Sequence, residues 1–317
     1  MSDEPWTILR LLDWTTGFFK TRGSESPRLD AEILLAHARR CPRIELYTAF
    51  NEIPSDEERI AFREMVKRRG DGAPVAQLVG HREFYSLQFR VDENVLIPRP
   101  ETEHLVIETI DRHRSLATRD PVPWTNRKCR ILDIGTGSGA IAVTLAKNLP
   151  DVEVVAVDIS PPALQIAQWN VDQHEVQDQV RLLQSDLTTA LEDDSPFDIV
   201  CSNPPYISQS EFEALPPTVR DFEPKVALLS GPEGTEVIRE VLTQSALRLH
   251  DHGCLVLELS PMIAESVAQM TRDHPAWDEP KLIKDLAGHL RILSVDKKPS
   301  LPSPSGESGD KGSDQRR

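Results

Sequence analysis

Ile131-Leu-Asp-Ile-Gly-Thr-Gly-Ser-Gly139 decides the fold: an apolar strand runs into a glycine loop, and a helical stretch, Ala140–Ala146, follows at once. Glycines at 135, 137 and 139 allow a tight turn and a close backbone approach to a ligand, with amides at the helix start facing the site. Gly135, Gly137 and Ala140 also satisfy the spacing of dinucleotide sites, so the loop alone leaves the ligand open. Around it, apolar runs at Arg130–Ile134, Val152–Asp158, Val180–Ser185, Phe197–Ser202, Cys254–Leu259 and His289–Val295 alternate with stretches long enough for helices. This order predicts an α/β, doubly wound, mostly parallel and Rossmann-like sheet.

Upstream of the sheet the periodicity changes. Ile8, Leu11, Leu12, Thr15, Phe18 and Phe19 recur at helical spacing; Ser26-Pro27 reads as the cap and first turn of a second helix, and Ser55-Asp-Glu-Glu58 as the capping box of a third, which closes at Gly70. Lys67, Arg68 and Arg69 in its last turn either complement the helix dipole, the favoured reading, or form a patch that meets an acidic partner. Phe84–Val91 alternates as a strand, and Asp92-Glu-Asn94 turns it into Val95-Leu-Ile97, a hairpin bridging two domains. Pro100, followed by two acids, opens another helix. At the far end, residues 298–317 are rich in Pro, Ser and Gly and almost free of apolar side chains, which predicts disorder.

Charge and composition exclude several function classes. The 317 residues, 39% apolar and 27% charged, are those of a globular chain with room for two domains. Of the formal charge of −15, nearly all lies in residues 86–297, with 19 basic against 34 acidic side chains; residues 1–85 are close to neutral, at 13 against 14. A surface that binds nucleic acid by neutralising phosphates needs the opposite sign, so tight, sequence-independent nucleic-acid binding by the central region is not expected, and no direct sequence-specific binding is expected either. Four scattered cysteines, with no Cys/His cluster at metal-ligand spacing, fit a reduced cytoplasm and no metal. The absence of a signal-like N-terminus or a long apolar run argues against secretion or a membrane partner.

The chemistry collects at successive strand ends. Asp158 can accept from both hydroxyls of a ribose, which NAD and S-adenosylmethionine both carry, or can cap the helix at Ser160-Pro161. Asp186 can accept from an adenine amino group with Leu187 over the ring, or can serve as a turn residue. Asn203-Pro204-Pro205-Tyr206, directly after Phe197–Ser202, is the decisive segment. Its prolines stiffen the loop, while the Asn203 side-chain oxygen and the Pro204 carbonyl are two adjacent acceptors. Together they can take both N–H bonds of a planar amine or amide, and Tyr206 offers a face for that group.

This order of segments resembles the class I S-adenosylmethionine-dependent methyltransferases that alkylate planar nitrogens, in which Asn-Pro-Pro-Tyr is the catalytic motif. Through about residue 297 the chain is similar to the peptide chain release factor glutamine methyltransferases. The matching segments are Ser26–Glu32, Pro74–Gly80, Arg82-Glu-Phe84, Val95-Leu-Ile-Pro-Arg-Pro-Glu-Thr-Glu103, Asp133–Gly139 and Asn203-Pro-Pro-Tyr-Ile207. Glu258-Leu-Ser260 stands where that family usually has Glu-Ile-Gly.

The resemblance implies methyl transfer from S-adenosylmethionine to the glutamine amide of the Gly-Gly-Gln motif in class I release factors. It implies a cofactor site at Gly135, Thr136, Gly137, Ser138, Gly139, Asp158, Asp186, Leu187 and Asn203. Substrate would meet Asn203, Pro204, Pro205 and Tyr206, with Asn203, Pro204 and Tyr206 catalytic. The expected division is a helical substrate-recognition domain (1–75), a β-hairpin linker (76–98), the methyltransferase domain (99–297) and the tail (298–317). A ribosomal-protein glutamine methyltransferase shares the chemistry. A nucleic-acid N6-adenine methyltransferase shares the motif without the N-terminal half, and a non-catalytic binding protein could retain the fold.

Overall fold

The computed structural model describes residues 5–119, 124 and 127–299. The first unit is helical: α1 (Ile8–Thr21), α2 (Pro27–Arg39), the short α3 (Glu45–Thr48), α4 (Asp56–Gly70) and α5 (Val75–Val79). Ile8, Leu12, Phe19, Leu34, Leu35 and Phe62 fill its core, whereas Leu11 and Phe18, on the edge of the same stripe, are only half-buried. Ser55 and Glu58 form the expected capping box on α4. Ser26 sits at the N-cap of α2 but makes no side-chain capping bond; Ser24 instead donates to Asp30 at 2.8 Å. Arg69 pairs with the same Asp30 at 2.8 Å, so this basic residue ties α4 to α2.

The hairpin lies earlier than its alternation predicts. β1 (His81–Phe84) and β2 (Leu87–Arg90) pair antiparallel, with Tyr85 and Ser86 at the turn in left-handed conformation, φ 50° and 61°. Positive φ at both central residues is what a tight two-residue hairpin demands, and without Asn-Gly or Asp-Gly the turn carries no composition signal. Asp92-Glu-Asn94 does turn, with the Asn94 amide donating to Asp92 Oδ1 at 2.8 Å and the Val95 amide to the Asp92 carbonyl at 3.5 Å, but Val95–Ile97 continues as irregular chain rather than a returning strand. Val91 and Val95 pack there against Ala163 and Ile166.

The main sheet contains β3 (Cys129–Ile134), β4 (Val152–Asp158), β5 (Val180–Gln184), β6 (Phe197–Ser202), β9 (Leu249–Glu258), β10 (Lys281–Lys284) and β11 (Leu290–Asp296), in the order β10-β11-β9-β6-β3-β4-β5. β5-β4-β3-β6-β9 run parallel, while β10 and β11 are antiparallel additions. β9 begins five residues before the expected Cys254, in a polar stretch that hydrophobicity does not mark. The exposed β10 was likewise unmarked. A two-stranded sheet, β7 (Ile207–Ser208) with β8 (Leu229–Gly231), follows Asn203–Tyr206.

α6 (Glu103–Ala117) and α7 (Ala140–Asn148) contribute to the core on one sheet face, and α11 (Glu236–Arg248) and α12 (Ala264–Asp273) to that on the other. α8 (Pro161–Gln173) packs against β4, β5 and the hairpin, and α9 (Gln209–Ala214) and α10 (Pro217–Arg220) fill the loop between β7 and β8. Asn170 of α8 is fully buried and fastens the hairpin to the glycine loop. It accepts from Arg90 N–H at 2.8 Å and donates to the Arg90 and Ser138 carbonyls at 3.1 and 2.8 Å. Among the described residues, no helix is long and apolar enough to cross a membrane. From residue 300 onward, the tail expected to be disordered lies outside the described residues.

Candidate active site

β3 lies parallel between β4 and β6, and the crevice opens at the carboxyl ends of these strands, beside the point between β3 and β6 where the chain order reverses. The structure brings Gly135, Gly137, Asp158, Asp186, Leu187, Asn203 and Pro205 together along its wall. Thr136 and Ser138 are buried behind the loop, and Gly139 faces α8, where a Cβ would come within 3.3 Å of Ala167. Pro204 is buried and Tyr206 half-buried beside the crevice, with the Tyr206 ring against the sheet-face core.

The glycine loop differs from its expected use in one respect: the amides of Gly135, Thr136, Gly137 and Gly139 already donate within the protein. Gly135 and Thr136 donate to the Val157 carbonyl at 2.9 Å each, and Gly137 donates to Asp158 Oδ2 at 2.8 Å. What the loop supplies is room. Gly135 and Gly137 have φ of 75° and 55°, and a Cβ on either would meet nothing within 4 Å.

Asp158 also accepts from the Ser160 amide at 2.9 Å, while the Ser160 hydroxyl caps α8, so Asp158 supports the helix entrance and lines the crevice together. Burial raises its pKa against these hydrogen bonds. Asp133, wholly buried behind the loop, accepts from the Thr136 hydroxyl at 2.7 Å, and burial pushes its pKa up to about 7. Among the described lining residues there is no Lys or Arg. A pyrophosphate would need free amides or cations here; a ribose beside a cationic sulfonium and ammonium fits carboxylates instead.

Several wall residues carried no sequence signal of their role. Asn94, Val95 and Leu96 close one side after the hairpin, and Pro224, Val226, Ala227 and Leu229 close another from the loop beyond the catalytic motif. Glu223 ties these segments together: buried, it accepts from the Ile97 amide at 3.2 Å and from Arg99 at 2.5 Å. Phe222 beside it packs into the helical-domain core, and its carbonyl accepts from Gln77 of α5 at 2.8 Å. Gly234 lies against the Asn203–Tyr206 loop; a Cβ there would stand 2.8 Å from the Tyr206 carbonyl oxygen.

Asn203 leaves the end of β6 with its Nδ2 donating to Thr102 Oγ1 at 3.2 Å. Among the described residues, no hydrogen bond runs to the Pro204 carbonyl. Two acceptors, Asn203 Oδ1 and Pro204 O, therefore remain for a planar N–H₂ group. Burial and the nearby Glu258 carboxyl push Tyr206 up to about 12, so its phenol stays neutral.

A seven-stranded sheet of this order, with an acid-lined and phosphate-averse crevice at its switch point, is that of a class I S-adenosylmethionine-dependent methyltransferase. The sequence matches the family described as the PrmC N-terminal domain over residues 10–80, and the methyltransferase small domain over 119–216. Among curated proteins, the release factor glutamine methyltransferase of Rhodopirellula baltica is 62% identical over 93% of this chain and 98% of its own. That of Koribacter versatilis is 39% identical over 93% and 99%. Among solved structures, the catalytic domain of hMettl16, in complex with MAT2A 3'UTR hairpin 6, shares the fold with a TM-score of 0.53. It is 17% identical, and the match covers 75% of this chain and 84% of that one. The chain belongs to the release factor glutamine methyltransferase family.

Proposed function

We propose that this chain methylates the side-chain amide nitrogen of the glutamine in the Gly-Gly-Gln motif of class I peptide chain release factors. The observation that carries the reading is the 62% identity with the Rhodopirellula baltica protein over nearly its whole length. Gly135, Gly137, Asp158, Asp186 and Leu187 would hold the cofactor, whose bound sulfonium supplies an electrophilic methyl group.

The chain's own work is placement. An amide nitrogen is a poor nucleophile because its lone pair is delocalised into the carbonyl. Asn203 Oδ1 and the Pro204 carbonyl take its two hydrogens and aim the nitrogen along the transfer line. Such near-attack placement supplies about 7–11 kcal/mol of a barrier. Both acceptors strengthen as the nitrogen becomes acidic during alkylation, which favours the transition state over the bound substrate. The buried Pro204 and half-buried Tyr206 keep the segment rigid and partly dry.

Residues 1–75 would recognise the protein substrate, since one glutamine side chain offers too little area to select a partner. Four free cysteines, three of them buried, suit a reduced cytoplasm. The test is mass spectrometry of intact class I release factors and ribosomal proteins after incubation with enzyme and labelled S-adenosylmethionine. One added methyl on the Gly-Gly-Gln glutamine is expected. A methyl found only on ribosomal protein would overturn the substrate assignment.

A further inference from the structure

Thr102 occupies the N-cap of α6, where threonine ordinarily accepts from its own helix, yet it makes no capping bond. Its oxygen accepts from Asn203 Nδ2 instead. The hydroxyl proton needs another acceptor, and the buried Glu258 carboxyl stands beside Thr102, whose hydroxyl favours its charged form. Glu258 is next in register to Asn203: Ser202 pairs with Leu257 on the neighbouring parallel strand, and each chain continues by one residue. Thr102 and Glu258 are 5% and 1% exposed, and among the described residues Glu258 Oε2 has no partner. The neighbouring cations are engaged elsewhere, Arg99 with Glu223 and Arg291 with Asp285.

We infer that Glu258, through the Thr102 hydroxyl, fixes which way round the Asn203 amide sits and so presents its oxygen to the target nitrogen. This rests on the catalytic reading of Asn203 given above. An asparagine amide can rotate by half a turn at little steric cost, exchanging acceptor for donor. In the reversed state two N–H₂ groups would face each other and transfer would stall. An ionised Glu258 accepts the Thr102 proton, which leaves Thr102 Oγ1 able only to accept and therefore selects Nδ2 as its partner. A protonated Glu258 can donate to Thr102, whose proton then turns to Asn203 Oδ1 and reverses the amide. Thr102 and Glu258 are positioning residues and touch no reacting atom.

Glu258 is well placed to switch, since burial pushes its pKa up to about 7. The groups facing it are Thr102, which stabilises the charge, Arg291 from β11 and Arg99, which favour ionisation, and Glu101 and Tyr206, whose negative forms oppose it. Activity should therefore fall as pH drops through the neutral region.

The test uses full-length enzyme and intact release factor in single turnover, with cofactor affinity measured separately. Wild type and Asn203→Ala come first: an Asn203→Ala enzyme as fast as wild type would overturn the underlying catalytic reading. With Asn203→Ala inactive, Thr102→Val and Glu258→Leu should each slow methyl transfer by about tenfold or more, the scale of one lost hydrogen bond. Cofactor affinity should stay within about twofold, and Thr102→Ser should restore the rate. The double variant should be no slower than either single one, because both cut the same chain. Glu258→Gln, which can accept but cannot ionise, should abolish the acidic limb. If Glu258→Leu fails to bind cofactor, the Gln profile and the Ser rescue still decide. An unchanged acidic limb in Glu258→Gln, or full activity in Thr102→Val, would overturn the relay.

Discussion

Asp158 shows how much one carboxylate can do at a strand end. It anchors the Gly137 and Ser160 amides and still faces the crevice, so Asp158→Ala should weaken S-adenosylmethionine binding by about 1.5–3 kcal/mol. Titration calorimetry checks this; an unchanged dissociation constant would leave Asp158 a structural acid. Asn203→Ala should instead spare cofactor affinity and reduce turnover at least about tenfold, because its oxygen matters most in the transition state. Asp133 makes a pH prediction. Its native pKa of about 7 stands above that of the unfolded chain, so its contribution to stability is present in acid and lost as pH rises through neutrality. Asp133→Asn should gain melting temperature relative to wild type as pH rises from mildly acid to mildly alkaline; parallel curves would show that Asp133 ionises without cost. The residues of these predictions were legible in unequal degree. Asp158 and Asn203 follow apolar runs directly, and their position announces them. Thr102 reads only as a helix start, and its bond to Asn203 spans 101 positions, a separation that no local pattern encodes.

At the scale of elements, periodicity marks what packs and misses what turns. The central strands are buried on both faces and appear as apolar runs, but the hairpin is set by the left-handed backbone of Tyr85 and Ser86, neither of them a residue that favours positive φ. The expected turn at Asp92-Glu-Asn94 forms, but no strand returns from it, since Val91 and Val95 on either side pack with Ala163 and Ile166 of α8 instead of pairing as strands. Exposed Ser86 should therefore tolerate glycine well: removing the left-handed penalty of about 1 kcal/mol offsets the added freedom of the unfolded chain, and Ser86→Gly should match or exceed wild-type melting temperature. Gly234→Ala should behave in the opposite way. At φ 82° and 2.8 Å from the Tyr206 carbonyl, a methyl group strains its own backbone and pushes the catalytic loop. A loss of about 2 kcal/mol or more in stability, with slower turnover in the folded fraction, is expected from denaturation and rate measurements.

For the whole molecule, the helical unit and the sheet unit meet through the loop that follows the catalytic motif. Residues 76–297 expressed alone should bind cofactor and modify a short Gly-Gly-Gln peptide, while methylating intact release factor at least about tenfold more slowly than full-length enzyme. Equal rates on intact protein would remove the recognition role from residues 1–75. The two-part organisation was visible in the sequence because helical periodicity gives way to strand alternation and because the acidic charge begins after residue 85. The joint itself was not, since Phe222 reads as an isolated aromatic in a polar loop. Its ring lies against Gly72, where any Cβ would approach to 3.2 Å and the backbone, at φ 109°, already disfavours other residues. Domain exchange between relatives is thereby constrained. A hybrid that joins the helical unit of one enzyme to the sheet unit of another inherits both sides of this fit only by coincidence, and a bulkier residue at the donor's position would push on the wall carrying Glu223 and Pro224. Substitutions at position 72 and at position 222 are thus coupled through this contact.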